Sequence, residues 1–214
     1  WKVHLFIQLF VFGMFPLLII FGDLVWSAYM PEPLRTGFFF LAVLPTTITS
    51  AIIYTSQSGG NTAISMANTT LANLAGVLIT PLWMTFLISS GGGEIGELET
   101  VFLKLTKLIL LPFFVGQMAH LFWKSALPFI KFPVGILNQA IIIFIVFAAF
   151  SNSVVGGVWQ GQGASLVILT TLVGLVIFFV VLGVCMWGIQ LLKFSIEDHS
   201  AIFFCSTQKT LAAA

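Results

Sequence analysis

The sequence predicts an all-α integral membrane protein, and three observations carry that prediction. Hydrophobic residues make up 59% of the chain and charged residues only 7%, whereas about a quarter of the residues in soluble domains are charged. Mean hydropathy is +1.11, and apolar runs long enough to cross a bilayer recur along the chain. Basic and acidic residues nearly cancel to a net charge of +1, so nothing indicates a nucleic-acid partner.

Seven apolar segments, A to G, are predicted as membrane helices because each is bounded by Gly, Pro or charged residues. The predicted ranges are 3–26, 36–56, 62–89, 100–123, 136–155, 164–192 and 201 onwards, with 193–200 as a polar loop. Segments A and F are long and smooth. Trp1 is not an initiator residue and segment G is too short to span, so we expect further helices beyond both ends.

Segment B is interrupted in its middle by the run LPTTITS at 44–50. Pro45 removes a backbone donor and frees the carbonyl of Leu41, so the helix has to kink or open there. Open backbone at membrane depth is tolerated only where it is packed in protein or lines a wet cavity. The hydroxyl side chains of this run are therefore candidate site residues: Thr46, Thr47, Thr49 and Ser50.

Segment G carries a second polar run, CSTQKT at 205–210. Lys209 would be costly facing lipid, and a depth of about 13 Å along the helix axis is too great for snorkelling. We therefore expect this run to face the protein interior or water. Cys185 and Cys205 lie inside apolar segments and are interpreted as small hydrophobic residues rather than as a disulfide or metal pair.

Small and polar residues recur at spacings of three and four along one face of segment C: Ser65, Asn68, Thr69, Ala72, Asn73, Gly76 and Thr80. Such a face either packs closely against another helix or coordinates something through its oxygens. Packing is favoured for Ala72, Gly76 and Thr80. A binding site is an equal alternative for Ser65, Asn68 and Thr69.

The positions of B and G in the chain suggest a repeat. Positive residues near the ends of the spans place the start of segment A in the cytoplasm, so B and G cross the membrane in opposite directions. Discontinuous helices that run in opposite directions and meet near the midplane are typical of inverted-repeat transporters.

The interrupted stretches resemble the bile acid:sodium symporter family (solute carrier family ten), and within it a seventh-member-like bacterial branch. The resemblance is carried by HLFIQ and FP within 4–16, by the run from Pro45 through SGGN to Pro81, and by IFFCSTQKTL at 202–211. It implies ten helices in two inverted repeats, of which this chain holds about seven. It also implies core-domain helices at 1–99, panel-domain helices at 100–163, and core-domain helices of the second repeat at 164–214.

Sodium-coupled members of that family hold two sodium ions behind the crossing of the broken helices. By resemblance, hydroxyls of the first sodium site match Ser50, Ser65 and Thr69, and a glutamine of the second matches Gln208. The chain also departs from the pattern at four positions: Phe204 stands for a bridging glutamate, Ala51 for an asparagine, Val11 for a glutamine with Gln8 one turn away, and Lys209 for a neutral amide.

Two functions follow as hypotheses. The first is a secondary active transporter of a small-molecule organic anion, multi-pass in the plasma or inner membrane, with no cofactor except a coupling ion, Na⁺ or H⁺. The predicted substrate contacts are Thr46, Thr47, Ser50, Asn68, Ser206, Thr207 and Lys209, and the predicted sodium contacts are Ser50, Ser65, Thr69 and Gln208. The second, raised by the seventh-member branch, is a non-transporting membrane regulator of ion homeostasis.

Lys209 has three interpretations at this stage. It binds the anion, it replaces sodium as a fixed or protonatable charge, or it only satisfies carbonyls opened at the crossing. Burial disfavours the charged form of a lysine, which is why protons are included as a coupling ion. An enzyme is not predicted, because the sequence has no HExxH motif and no paired aspartates at membrane depth.

Overall fold

The structure is a computed structural model that describes residues 1–90, 134–157 and 163–209, together with Lys107, Leu111, Phe122 and positions 114–116 and 118–119. Most of predicted segment D, at 100–123, lies outside the described residues, so this helix stays a prediction.

The three continuous stretches are helical. Their elements are α1 (Lys2–Leu9), a π-helical turn (Phe10–Met14), α2 (Phe15–Trp26), α3 (Glu32–Val43), α4 (Ile48–Gln57), α5 (Thr62–Ser90), α6 (Val134–Val155), α7 (Gly163–Leu191) and α8 (Ile196–Thr207). Three helical rods are long and apolar enough to cross a membrane: Lys2–Trp26, Thr62–Leu87 and Ser165–Leu191. The predicted all-α membrane fold is confirmed.

The chain forms two compact units. One comprises Trp1–Leu110 with Val173–Ala214, and the other comprises Leu111–Leu172. The first unit contains α1 to α5, most of α7 and α8, and all the contacts described below lie within it. The domain division predicted at residues 99 and 163 stays a prediction.

The outer surface of the long helices is apolar. On α5, Leu74, Leu78 and Leu82 lie four residues apart and are 50%, 59% and 57% exposed. A stripe of large exposed apolar side chains marks contact with lipid or with another helix rather than with water. The polar face of α5 is the opposite one, where Ser65, Asn68 and Thr69 are fully buried.

Segment A is less regular than predicted, and Pro16 is the cause. The π-helical turn lies immediately before this proline, and the N–H of Phe15 donates to the carbonyl of Phe10, five residues back. Pro16 itself has no N–H. Two N–H groups could reach the Val11 carbonyl in a helix. That of Phe15 bonds Phe10 instead, and residue 16 is a proline without one. The Phe12 carbonyl also lacks its usual donor, because the residue four positions ahead is Pro16. The indole Nε1 of Trp83 donates to the Phe12 carbonyl at 2.8 Å.

Segment B opens at Pro45. The helix α3 ends at Val43, Leu44 and Thr47 have extended backbone with ψ of 149° and 126°, and α4 begins at Ile48. The residue before a proline is pushed out of the helical region by the ring, which explains why α3 stops at this point. The guanidinium of Arg35 near the start of α3 bonds the carboxylate of Asp23 on α2, with Nε to Oδ1 at 2.8 Å, and joins these helices across their short loop.

Segment G begins earlier than predicted, and the predicted loop over 196–200 is wrong. Helix α8 starts at Ile196 with Glu197 and Asp198 in its first turn, and it ends at Thr207. Acidic residues in a first turn favour helix because they complement the helix dipole, and this signal outweighs the polarity that suggested a loop. Lys209 therefore lies beyond the end of the helix rather than inside it.

Close packing against Pro45 gives a first testable prediction. A Cβ atom on Gly76 of α5 would lie 3.0 Å from Cβ and Cγ of the Pro45 ring. The substitution Gly76→Ala should therefore lower the free energy of unfolding by about 1 to 2 kcal/mol, because overpacking exceeds the helix propensity that Ala adds. Thermal or denaturant unfolding of the full-length protein in detergent measures the change.

The matched control is Gly183→Ala on α7, where an added Cβ meets nothing within 4 Å. This variant should be as stable as the wild type or slightly more stable. Equal effects of the two substitutions would contradict the packing assigned to Gly76.

Candidate functional site

Two extended segments meet inside the first unit, and we call them together the crossing: Leu44–Thr47 and Gln208–Lys209. Thr46 and Lys209 form an isolated antiparallel bridge. The N–H of Thr47 donates to the carbonyl of Gln208 at 3.3 Å, and the hydroxyl of Thr46 donates to the same carbonyl at 2.8 Å. The Gln208 carbonyl, which follows the end of α8, is therefore paired with the segment that precedes α4.

A side-chain contact reinforces the crossing. Ser50, in the first turn of α4, donates through Oγ to Oε1 of Gln208 at 2.7 Å. The two polar runs predicted at 44–50 and 205–210 are thus in direct contact at the residues singled out from the sequence.

Three carbonyls at the break in segment B each accept a hydrogen bond from a side chain of another element. Thr80 Oγ1 donates to Val43 at 2.9 Å, Lys209 Nζ donates to Leu44 at 2.8 Å, and Asn73 Nδ2 donates to Thr46 at 2.9 Å. Buried backbone carbonyls are paired in almost all native structures. Thr80 and Asn73 thus act on the open backbone, a role that their small-residue spacing alone did not indicate.

Lys209 joins the crossing to the π-helical turn. Its ammonium donates to the carbonyl of Val11 at 2.7 Å as well as to that of Leu44. The Phe15 ring centroid lies 4.5 Å from Nζ and that of Phe12 lies 6.0 Å away, which is the range of cation–π attraction. The charge is held by two main-chain oxygens and an aromatic face, as in the interpretation that Lys209 satisfies opened carbonyls.

A cavity of about 250 Å³ adjoins this lysine. Its lining is apolar except for Thr207 and Lys209: Phe15, Leu41, Gly174, Ile177, Phe178, Val181, Leu182, Thr207 and Lys209. A mostly apolar cleft with a few polar groups at fixed positions is the usual form of a small-molecule site. Among the described residues of this lining, the one charged side chain is the cation of Lys209.

Asn68 lies apart from the cavity, between α5 and α1. Its Nδ2 donates to Nδ1 of His4 at 2.9 Å and to the carbonyl of Ile64 at 2.8 Å. Gln8 Nε2 donates to the Asn68 backbone carbonyl at 3.2 Å. Since Nδ1 of His4 accepts here, this network assigns the ring proton to Nε2. Asn68 is thus placed to position α1 rather than to line the cavity.

Ser65 and Thr69, predicted sodium contacts, are fully buried between α5 and α8. Thr69 Oγ1 donates to the carbonyl of Ser65 at 2.9 Å, and Ser65 Oγ lies 3.3 Å from Sγ of Cys205. Phe204, at the position of the expected carboxylate, packs its ring 5.5 Å from that of Tyr54. Among the described residues no cluster of three or more His, Cys, Asp or Glu side chains occurs.

The predicted site residues divide into three groups by location. Thr46, Thr47, Ser50, Gln208 and Lys209 meet at the crossing, Thr207 and Lys209 line the cavity, and Ser65, Asn68 and Thr69 form hydrogen bonds within the helix bundle. Ser206, near the end of α8, is fully buried. The sequence reasoning missed Val11 and Phe15, although Pro16 carried the same signal as Pro45.

The fold and the crossing define a helical membrane protein in which interrupted helices meet inside the bundle. The chain belongs to the SBF-like CPA transporter family, which it matches over residues 1–214. Among curated relatives it is 31% identical to Putative symporter YfeH of Escherichia coli over 99% of the chain, and 26% identical to Sodium/bile acid cotransporter 7 of Rattus norvegicus over 98% of the chain. It spans 63% and 62% of the lengths of these relatives.

The contact between Ser50 and Gln208 gives a prediction that a double-mutant cycle can measure. The substitutions Ser50→Ala and Gln208→Leu should each destabilise the full-length protein, and together they should cost less than the sum, with a coupling energy of about 1 kcal/mol. Denaturant unfolding of the wild type, the two single variants and the double variant supplies the four free energies of the cycle.

Ser58 provides the control, since its hydroxyl donates to the carbonyl of Tyr54 within its own turn. Ser58→Ala combined with Gln208→Leu should be additive. A coupling between Ser50 and Gln208 no larger than this control would show that the crossing does not depend on their bond.

Proposed function

We propose that the protein is a secondary active transporter that moves a small organic anion across the membrane by alternating access, with the crossing and the adjoining cavity as its substrate region. The observation that carries the proposal is the position of Lys209, whose charge lies where two open backbone segments meet and at the wall of a cavity of about 250 Å³. The protein would be multi-pass, in the plasma or inner membrane.

The charge and lining of the cavity support an anion with an apolar body. Lys209 is the single charged residue that the structure describes in the lining, and the aromatic and aliphatic side chains around it repel water. A charge in such a low-dielectric site attracts a counter-ion more strongly than in water. A carboxylate or sulfate near Lys209 and Thr207, with its hydrocarbon part against Phe178 and Ile177, fits this distribution.

The backbone supports alternating access. The crossing is held by few hydrogen bonds between short extended segments rather than by continuous helix, and broken helices that meet at mid-membrane are the usual binding elements of inverted-repeat carriers. The names of the relatives, a symporter and a cotransporter, agree with a transport function. Because the chain spans 63% of the symporter, the proposal concerns the full-length protein.

Uptake into proteoliposomes tests the proposal. Full-length protein should accumulate at least one of a bile acid, a sulfated steroid and an aliphatic carboxylate with saturation kinetics, and should not accumulate a matched neutral alcohol. Lys209→Met should raise the apparent KM about 10-fold or more, because it removes the charged partner of the anion. Thr207→Val should change KM little, because the Thr207 hydroxyl already donates to the carbonyl of Phe203 at 2.8 Å.

The matched control is Lys193→Met, in the exposed turn after α7, which should leave uptake unchanged. Sodium, proton and absent gradients are compared in separate preparations to identify the coupling ion. If wild-type protein accumulates none of the anions, the non-transporting regulator becomes the better interpretation. Equal KM for the wild type and Lys209→Met would remove Lys209 from the substrate site.

A further inference from the structure

The ammonium of Lys209 lies between two carbonyls that have no helical partner, each shortly before a proline in the chain. Val11 precedes Pro16 in the π-helical turn, and Leu44 precedes Pro45 at the break in segment B. Neither carbonyl can be paired within its own helix, because each proline removes a donor or ends the helix. The two oxygens approach one point from different elements, and Nζ occupies that point at 2.7 and 2.8 Å.

Converging carbonyl oxygens form a site for a cation. Their partial negative charges add, and ion-binding backbone in membrane proteins uses this arrangement in place of a hydration shell. The ring of Phe15 at 4.5 Å from Nζ adds a further face of negative potential. The described carboxylates nearest in sequence to Val11 and to Lys209 have other partners. Asp23 pairs with Arg35, and Asp198 accepts a hydrogen bond from Asn61 at 3.3 Å.

We propose that Lys209 is a tethered cation that permanently fills a monovalent-cation site formed by the carbonyls of Val11 and Leu44, so that the crossing is held together without a dissolved sodium ion. The proposal concerns the same region as the proposed transport function. Its test measures thermal unfolding instead of uptake, so the failure of one is separable from the failure of the other.

The side chains that would have to hold sodium support this inference. Ser50, Thr69 and Gln208 offer only neutral oxygens, and Oε1 of Gln208 already accepts the hydroxyl of Ser50 at 2.7 Å. The position where the family resemblance places a carboxylate holds Phe204. A sodium ion beside a fixed ammonium would meet like-charge repulsion in a low-dielectric interior, with no described carboxylate in contact to offset it.

The tether also has a mechanical consequence. One side chain links the π-helical turn of the first membrane rod to the broken end of α3 and, through its own backbone, to the end of α8. Displacement of any of these three elements requires at least one of the two ammonium contacts to break. A dissolved ion could diffuse away during such a movement, whereas the ammonium would stay attached to the chain beside the site.

The experiment measures the melting temperature of full-length protein in detergent, in choline chloride and in sodium chloride. The wild type should melt at the same temperature in both salts. Lys209→Ala should lower the melting temperature by about 5 °C or more. Added methylammonium, which supplies the missing N–H donors, should restore part of this loss, and tetramethylammonium, which has none, should not.

Lys193→Ala is the control, and it should show neither the loss nor the rescue. A higher melting temperature of the wild type in sodium than in choline would overturn the proposal, and this measurement needs no variant to fold. Equal melting temperatures for the wild type and Lys209→Ala would overturn it as well. Stabilisation of Lys209→Ala by sodium, without any effect on the wild type, would support it directly.

Discussion

The need to pair backbone carbonyls away from water governs the described part of this protein. An unpaired carbonyl in a hydrocarbon environment costs several kcal/mol, and two prolines in membrane segments leave such carbonyls behind. Side chains of other elements donate hydrogen bonds to these carbonyls. Lys209 donates to Val11 and Leu44, Trp83 to Phe12, Thr80 to Val43, and Asn73 to Thr46. The packing of α5 and α8 against the breaks therefore follows from the hydrogen bonds that the prolines make necessary.

These donors differ in the elements that they connect. Trp83, Thr80 and Asn73 all lie on α5, so this helix serves as a common support for both breaks. Gly76 lies on the same helix and admits the Pro45 ring at a distance that a side chain would prevent. Lys209 alone bonds carbonyls of both interrupted segments, and it makes the two breaks one polar region inside an apolar bundle.

The sequence predicted much of this arrangement because the two strongest signals were local. Pro45 in an apolar run and a lysine at membrane depth are both unfavourable in a helix that faces lipid. Their positions therefore predicted where the crossing lies. Partners distant in sequence were harder to predict. The Val11 carbonyl is a backbone group with no sequence signature except Pro16 five residues ahead. The contact of Asn68 with His4 is likewise not predictable, because periodicity shows which face of α5 is polar but not what covers it.

A tethered cation and a dissolved cation differ in whether an ion gradient can act through them. A sodium ion binds and leaves, so its gradient can drive a cycle, and the stability of its site depends on its concentration. The ammonium of Lys209 remains attached to the chain, and its contacts with Val11 and Leu44 depend only on backbone position. In the proposed tether, the site formed by these two carbonyls would exchange no sodium with the solution, so a sodium gradient could not act through that site.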